Sequence, residues 1–139
     1  YLWDTLRLPD GKYQVKLTAS DDPDNPQETA FIAENMIQPI VIDNSRPNIK
    51  SLDAAAGTEG KYVISGAARD DYSNVVKVQY TIDGQEWTSA YPVDGVFDSL
   101  EEPFQITTRP LVPGNYTLIV NAFDSEGNIG IEKVLIEVK

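Results

Sequence analysis

One short phrase recurs three times along this chain: Ala19-Ser-Asp21-Asp-Pro-Asp-Asn25, Ala68-Arg-Asp70-Asp-Tyr-Ser-Asn74 and Ala122-Phe-Asp124-Ser-Glu-Gly-Asn128. Each copy ends an alternating apolar run with Ala-x-Asp and sets an Asn four residues after the Asp. Asp and Asn side chains bond nearby backbone amides, and Gly and Pro interrupt regular pairing, so the phrase is expected to form a tight turn between strands. The match between the first and third copies is longer. A shift of 103 residues lays Leu8, Gly11, Tyr13, Val15, Leu17, Ala19 and Asp21 over Leu111, Gly114, Tyr116, Leu118, Val120, Ala122 and Asp124. Matched alternation at a fixed offset marks an internal repeat, so the chain is expected to consist of repeated β-units.

Turn signals at Pro9-Asp10-Gly11 and Pro113-Gly114 open equivalent strands. From Pro47 onward the alternation predicts strands at 48–56, 62–68, 75–82, 86–90, 104–108, 115–123 and 131–138. Within them Val76, Val78, Tyr80 and Ile82 are expected to face inward, and Asp83-Gly84 is a strong hairpin signal. Seven short strands in this length predict a complete two-sheet sandwich over residues 47–139. Residues 1–46 supply less: a strand remnant near Trp3, a strand at 12–19, a long connection over 22–38, and a strand at 39–43. Three strands cannot close a sandwich, because their apolar face lacks an opposing sheet. The segment Asp43-Asn-Ser-Arg-Pro47 is expected to be the linker, its Pro halting ladder pairing. No segment has the period of a stable helix.

Several motifs carry a resemblance. Asp10-Gly-Lys-Tyr13, the Ala19-x-Asp21-x-x-x-Asn25-Pro26 phrase and Val41-Ile-Asp-Asn44-x-x-Pro47 resemble immunoglobulin-like or fibronectin type III-like modules of large bacterial extracytoplasmic proteins. Such modules often follow β-propeller repeats. The second unit is similar through Tyr80-Thr-Ile-Asp-Gly84-x-x-Trp87, Asp94-Gly95 and Pro113-Gly-x-Tyr116. The resemblance implies an immunoglobulin-like β-sandwich, one partial module followed by one complete module, at the cell surface or in a secreted protein. It also implies that Tyr13 and Tyr116 are tyrosine corners, each opening a strand two residues before an inward apolar position, Val15 or Leu118. It implies no particular activity, because this fold hosts unrelated functions.

Composition excludes more than it assigns. With 22 acidic against 11 basic residues the net charge is -11, which disfavours nucleic acid and anionic membrane surfaces. Cys and His are both absent, removing Ser-His-Asp and Cys-His catalysis and the usual zinc ligand sets. No apolar run reaches the roughly 20 residues that span a bilayer as a helix, so membrane insertion is not expected. The chain has no initiator Met or signal peptide, which leads us to expect an origin inside a longer precursor. Carboxylate-pair catalysis needs a concave site that loop-tip acids on a small sandwich do not offer, so no enzymatic activity is expected.

Two kinds of site merit weighing. In a sandwich of this topology, Asp43, Asn44, Asp70, Asp71, Asp124 and Glu126 converge near the junction of the units, where hard oxygen ligands could hold calcium. The alternative is that these Asp and Asn side chains make local turns. Asp94, Asp98, Glu101 and Glu102 form a second, weaker acidic cluster. Trp3, Trp87, Tyr72 and Tyr91 could form a stacking platform for a polysaccharide. The expected role is that of a non-catalytic spacer or protein-interaction module. Its expected partners are neighbouring domains of one larger protein, with a protein or polysaccharide ligand or a strand-exchanged homodimer as alternatives.

Overall fold

Alternating apolar runs separated by Asx, Gly and Pro turns give strands and no helix in the computed structural model, which describes residues 2–22, 24–25 and 29–139. The protein is all-β. The backbone divides into two compact units, Tyr1–Asp43 and Asn44–Lys139, so the division falls just before the linker's Asn44.

The first unit holds β1 (Gly11–Tyr13), β2 (Lys16–Ser20), β3 (Ile32–Met36) and β4 (Ile40–Ile42). β1 pairs with β4 and β2 with β3, both antiparallel. The register passes from Tyr13 opposite Ile40 to Lys16 opposite Met36, so the two pairs are parts of one long ribbon interrupted by an irregularity. The Ile37 N–H donates to the Val15 carbonyl across that gap, at 2.9 Å. Two expectations are corrected here. The connection over 22–38 contains β3, which pairs along β2, and the stretch around Trp3 is not a strand, its chain instead folding into a turn closed by Leu8 N–H to the Thr5 carbonyl at 3.0 Å. Pro23 and Pro26 of the first phrase lie outside the described residues.

The second unit holds β5 (Asn48–Ala56), β6 (Tyr62–Arg69), β7 (Val75–Ile82), β8 (Thr88–Ser89), β9 (Tyr91–Pro92), β10 (Glu101–Thr107), β11 (Gly114–Asp124) and β12 (Ile129–Val138). They form two antiparallel four-stranded sheets, ordered β5-β6-β10-β9 and β12-β11-β7-β8. Ile64, Phe104 and Ile106 from the first sheet and Val78, Leu118, Val120 and Ile136 from the second share one buried cluster, the arrangement of a β-sandwich. Each such side chain contributes about 1.5–3 kcal/mol by leaving water. Gly66 leaves room for this core, since a Cβ there would stand 2.8 Å from the Phe104 ring. At Gly130 a Cβ would collide with the Pro47 carbonyl, so the chain entering β5 can lie against β12 only at a glycine.

Local irregularities reset the expected facing. At the start of β7 the ladder slips where Phe123 and Asp124 pair with Lys77 and Val75, so Val75 is buried and Val76 is exposed, reversing its expected inward position. Residues 86–90 do not make one strand: β8 pairs with β7 while β9 pairs with β10, and the chain changes sheets at buried Ala90. Asp83 and Gly84 both have positive φ, 52° and 70°, as a two-residue hairpin turn of the twisted kind requires.

Candidate functional site

The repeated phrases use their polar residues on their own backbone. In the first unit, Asp21 Oδ1 accepts the Phe31 N–H at 2.6 Å and its Oδ2 accepts the Asn25 side-chain amide at 2.8 Å. In the third copy, Asp124 Oδ1 accepts the N–H groups of Glu126 and Asn128 at 2.9 and 2.8 Å, and Oδ2 accepts the Asn128 side-chain amide at 2.9 Å. The Asn four residues on is therefore a clamp on the Asp carboxylate in both. The middle copy differs: Asp70 Oδ1 accepts the N–H groups of Tyr72 and Ser73, while Asn74 reaches across to the Asp98 carbonyl at 2.6 Å. These are Asx turns, in which a short carboxylate replaces a backbone acceptor.

The two phenols repeat as well. Tyr13 donates its hydroxyl to the Pro9 carbonyl at 2.6 Å and Tyr116 donates to the Val112 carbonyl at 3.0 Å, each four residues upstream. Gly11 and Gly114, two residues before each ring, have φ of 150° and 157°, a backbone conformation that L side chains rarely adopt. A Cβ on Gly114 would also touch the Tyr116 ring at 3.7 Å.

Of the six residues considered for calcium, the second unit buries Asp70 and Asp124, both 3% exposed, with carboxylate oxygens within 4.8 Å of one another. Asp71 and Glu126 are on the surface, and Asp71 pairs with Arg69 at 3.2 Å. Asp43, which ends the first unit, is buried, and Asn44, which begins the second, is half-buried. Two carboxylates this close repel unless a proton, a cation or hydrogen-bond donors intervene. Here donors do, at three of the four oxygens: both of Asp124 and Oδ1 of Asp70.

The second acidic cluster is likewise committed to turns. Buried Glu102 accepts the N–H groups of Asp98 and Ser99 through Oε1, at 2.7 and 2.6 Å, and Asp94 Oδ1 accepts the Val96 N–H at 3.2 Å. Glu101 pairs with Arg69 at 3.4 Å. Sequence reasoning did not find the role of Glu102; alternation across 102, 104 and 106, all inward, was the available signal. Trp87, Tyr72 and Tyr91 are exposed in the second unit and Trp3 in the first.

A cavity of about 200 Å³ also went unread in the sequence. Tyr80, Ile82, Gln85, Glu86, Thr88 and Arg109 line it, brought together only when the β7–β8 turn folds back toward the end of β10. Burial pushes the Tyr80 hydroxyl above its ordinary 10.0, a rise opposed by its hydrogen bond with Thr88 and assisted by neighbouring Tyr91. The cavity lining holds one carboxylate, Glu86, and so no carboxylate pair.

No family model matches the chain. It is 24% identical over 127 residues to the uncharacterized protein YvnB of Bacillus subtilis (strain 168), a match covering 91% of this chain and 8% of YvnB. The chain thus spans under a tenth of that relative's length. Among solved structures it is similar to the sulfane dehydrogenase SoxCD of Paracoccus pantotrophus, with TM-score 0.47 and 19% identity over 56% of this chain and 25% of that one. No helix among the described residues is long and apolar enough to cross a membrane.

Proposed function

We propose that this chain is a non-catalytic spacing and docking segment of a larger extracytoplasmic bacterial protein. One observation carries the reading: the acidic residues of the repeated phrases hold turns together, rather than converging on a cleft with a nucleophile or base. The immunoglobulin-like or fibronectin type III-like assignment is part of the same proposal. It draws support from the orders β5-β6-β10 and β12-β11-β7, which follow the A-B-E and C-F-G groupings of those sandwiches, and from the phenol bonds of Tyr13 and Tyr116. Such a segment works by stiffness and by the surfaces it presents to neighbouring domains.

A second reading, a calcium-stiffened adhesion module, is favoured by the closeness of the buried Asp70 and Asp124 carboxylates. Thermal melting in millimolar calcium and in chelator separates the two. A folded-state cation site raises Tm through mass action. The spacer reading expects equal Tm in both, because three of the four Asp70 and Asp124 oxygens already accept amide protons. A calcium-dependent rise reversed by chelator would replace it. Quenching of Trp fluorescence by a polysaccharide would instead favour a carbohydrate-binding module.

A further inference from the structure

We infer that the cavity between β7, β8 and the end of β10 binds a free zwitterionic α-amino acid with an apolar side chain. Arg109 takes the carboxylate, Glu86 takes the ammonium, and Ile82 with the Tyr80 ring takes the side chain. All six lining residues belong to the second unit. The inference goes beyond the spacing reading and does not rest on it.

The backbone around the cavity is held in place before any ligand arrives. Asp83 ties the β7–β8 turn to β11 twice, donating its N–H to the Thr117 carbonyl and accepting the Thr117 N–H through Oδ1, both at 2.8 Å. The Gln85 N–H closes that turn on the Ile82 carbonyl at 3.2 Å. On the β10 side, the Thr108 hydroxyl donates to the Arg109 carbonyl at 2.7 Å, and the Leu111 N–H donates to the Gly60 carbonyl at 2.9 Å. Thr88 faces Tyr80 in the ladder and hydrogen-bonds its phenol. A site held this way has little ordering left to do when a ligand enters.

The charged groups left over define the ligand. Among the described residues neither Arg109 nor Glu86 forms an ion pair or a side-chain hydrogen bond, whereas Arg69 meets both Asp71 and Glu101. A guanidinium only donates and a carboxylate only accepts, so an occupant that meets both carries an acceptor and a donor. Size and field narrow the choice. A cavity of about 200 Å³ falls below the roughly 300–1,000 Å³ of drug-sized pockets and suits a molecule the size of one amino acid. On a chain of net charge -11 a free anion is repelled, whereas a zwitterion carries no net charge. A neutral polyol would leave both charges unneutralised and set hydroxyls against buried Ile82.

The test titrates the isotopically labelled full chain with L-leucine at physiological salt, where long-range attraction is screened, and follows the amide shifts of Ile82, Gln85, Thr88 and Arg109. Saturation with a Kd of about 1–10 mM is expected, because exposed charge pairs each add little. Leucinamide, which lacks the carboxylate, and N-acetyl-L-leucine, which lacks the ammonium, should each bind about fivefold more weakly. Arg109→Gln should weaken L-leucine by the same factor and leave leucinamide unchanged, and Glu86→Gln should weaken L-leucine and leave N-acetyl-L-leucine unchanged. Both variants replace exposed side chains. Absence of a saturable shift at tens of millimolar L-leucine would overturn the proposal, as would equal affinity for leucinamide. Tighter binding of glucose would overturn it in favour of a polyol. A calcium- or polysaccharide-dependent result in the earlier assays would overturn the spacer reading and leave this titration standing.

Discussion

Leu17 and Val120 occupy the same place in two copies of one ribbon, yet one is mostly exposed and the other is inaccessible to solvent. The same contrast holds for Ala19, which is exposed, against buried Ala122. Backbone bonding does not differ in kind: both ribbons are antiparallel, both open with a Gly at extreme positive φ, and both anchor a phenol four residues upstream. The second ribbon differs in belonging to a four-stranded sheet and sharing a core with β6 and β10. Alternation therefore makes a ribbon, but only an opposing sheet turns its apolar face into stabilisation.

The largest expected contrast comes from one substitution made at two leucines of the repeat. Leu118→Ala opens a cavity in a fully buried site and should cost about 2–5 kcal/mol, whereas Leu17→Ala at the surface should stay within about 0.5 kcal/mol. Urea unfolding of both variants measures the gap, and equal losses would break the comparison. The clamps come next. Asn128→Ala leaves the buried Asp124 Oδ2 short of a donor and should cost about 1–3 kcal/mol, while Asn25→Ala in an exposed turn should cost under about 0.5 kcal/mol.

The phenols sharpen the contrast further. Tyr116→Phe should lower stability by about 0.5–1.5 kcal/mol, one net hydrogen bond. Tyr13→Phe should leave the main unfolding transition in place and show itself as faster amide exchange in β1 and β4. The smallest effect involves β7, which has no counterpart paired with β2 among the described residues. Burial raises the Tyr80 pKa, so its neutral phenol favours the folded state: that contribution is full below pH 10.0 and is lost as pH climbs through the raised value. A stability profile in alkaline solution should fall less steeply for Tyr80→Phe than for the parent chain.

Much of the second unit was legible because its strands alternate cleanly and their turns carry Asp-Gly, Pro-Gly or Asx signals. The strand β3 was not. Ile32-Ala-Glu-Asn-Met36 has neither a β-branched run nor strict alternation, and it forms a strand by pairing with β2. Inward Val75 escaped notice because a bulge shifts facing by one residue, and neighbouring valines hide the shift. At the site, the Asp residues that begin the turns were recognisable by composition. That Asn74 would leave its own Asp and bond Asp98 was not, since that partner lies 24 residues away.

What the sequence alone determined is everything that closes over a few residues: the Asp-to-Asn clamps and the phenol bonds each span four positions, and they form whether or not a core surrounds them. The tertiary structure decided which of two matching ribbons has a buried face. That outcome depends on surface removed from water by strands remote in the chain, a quantity no local pattern contains.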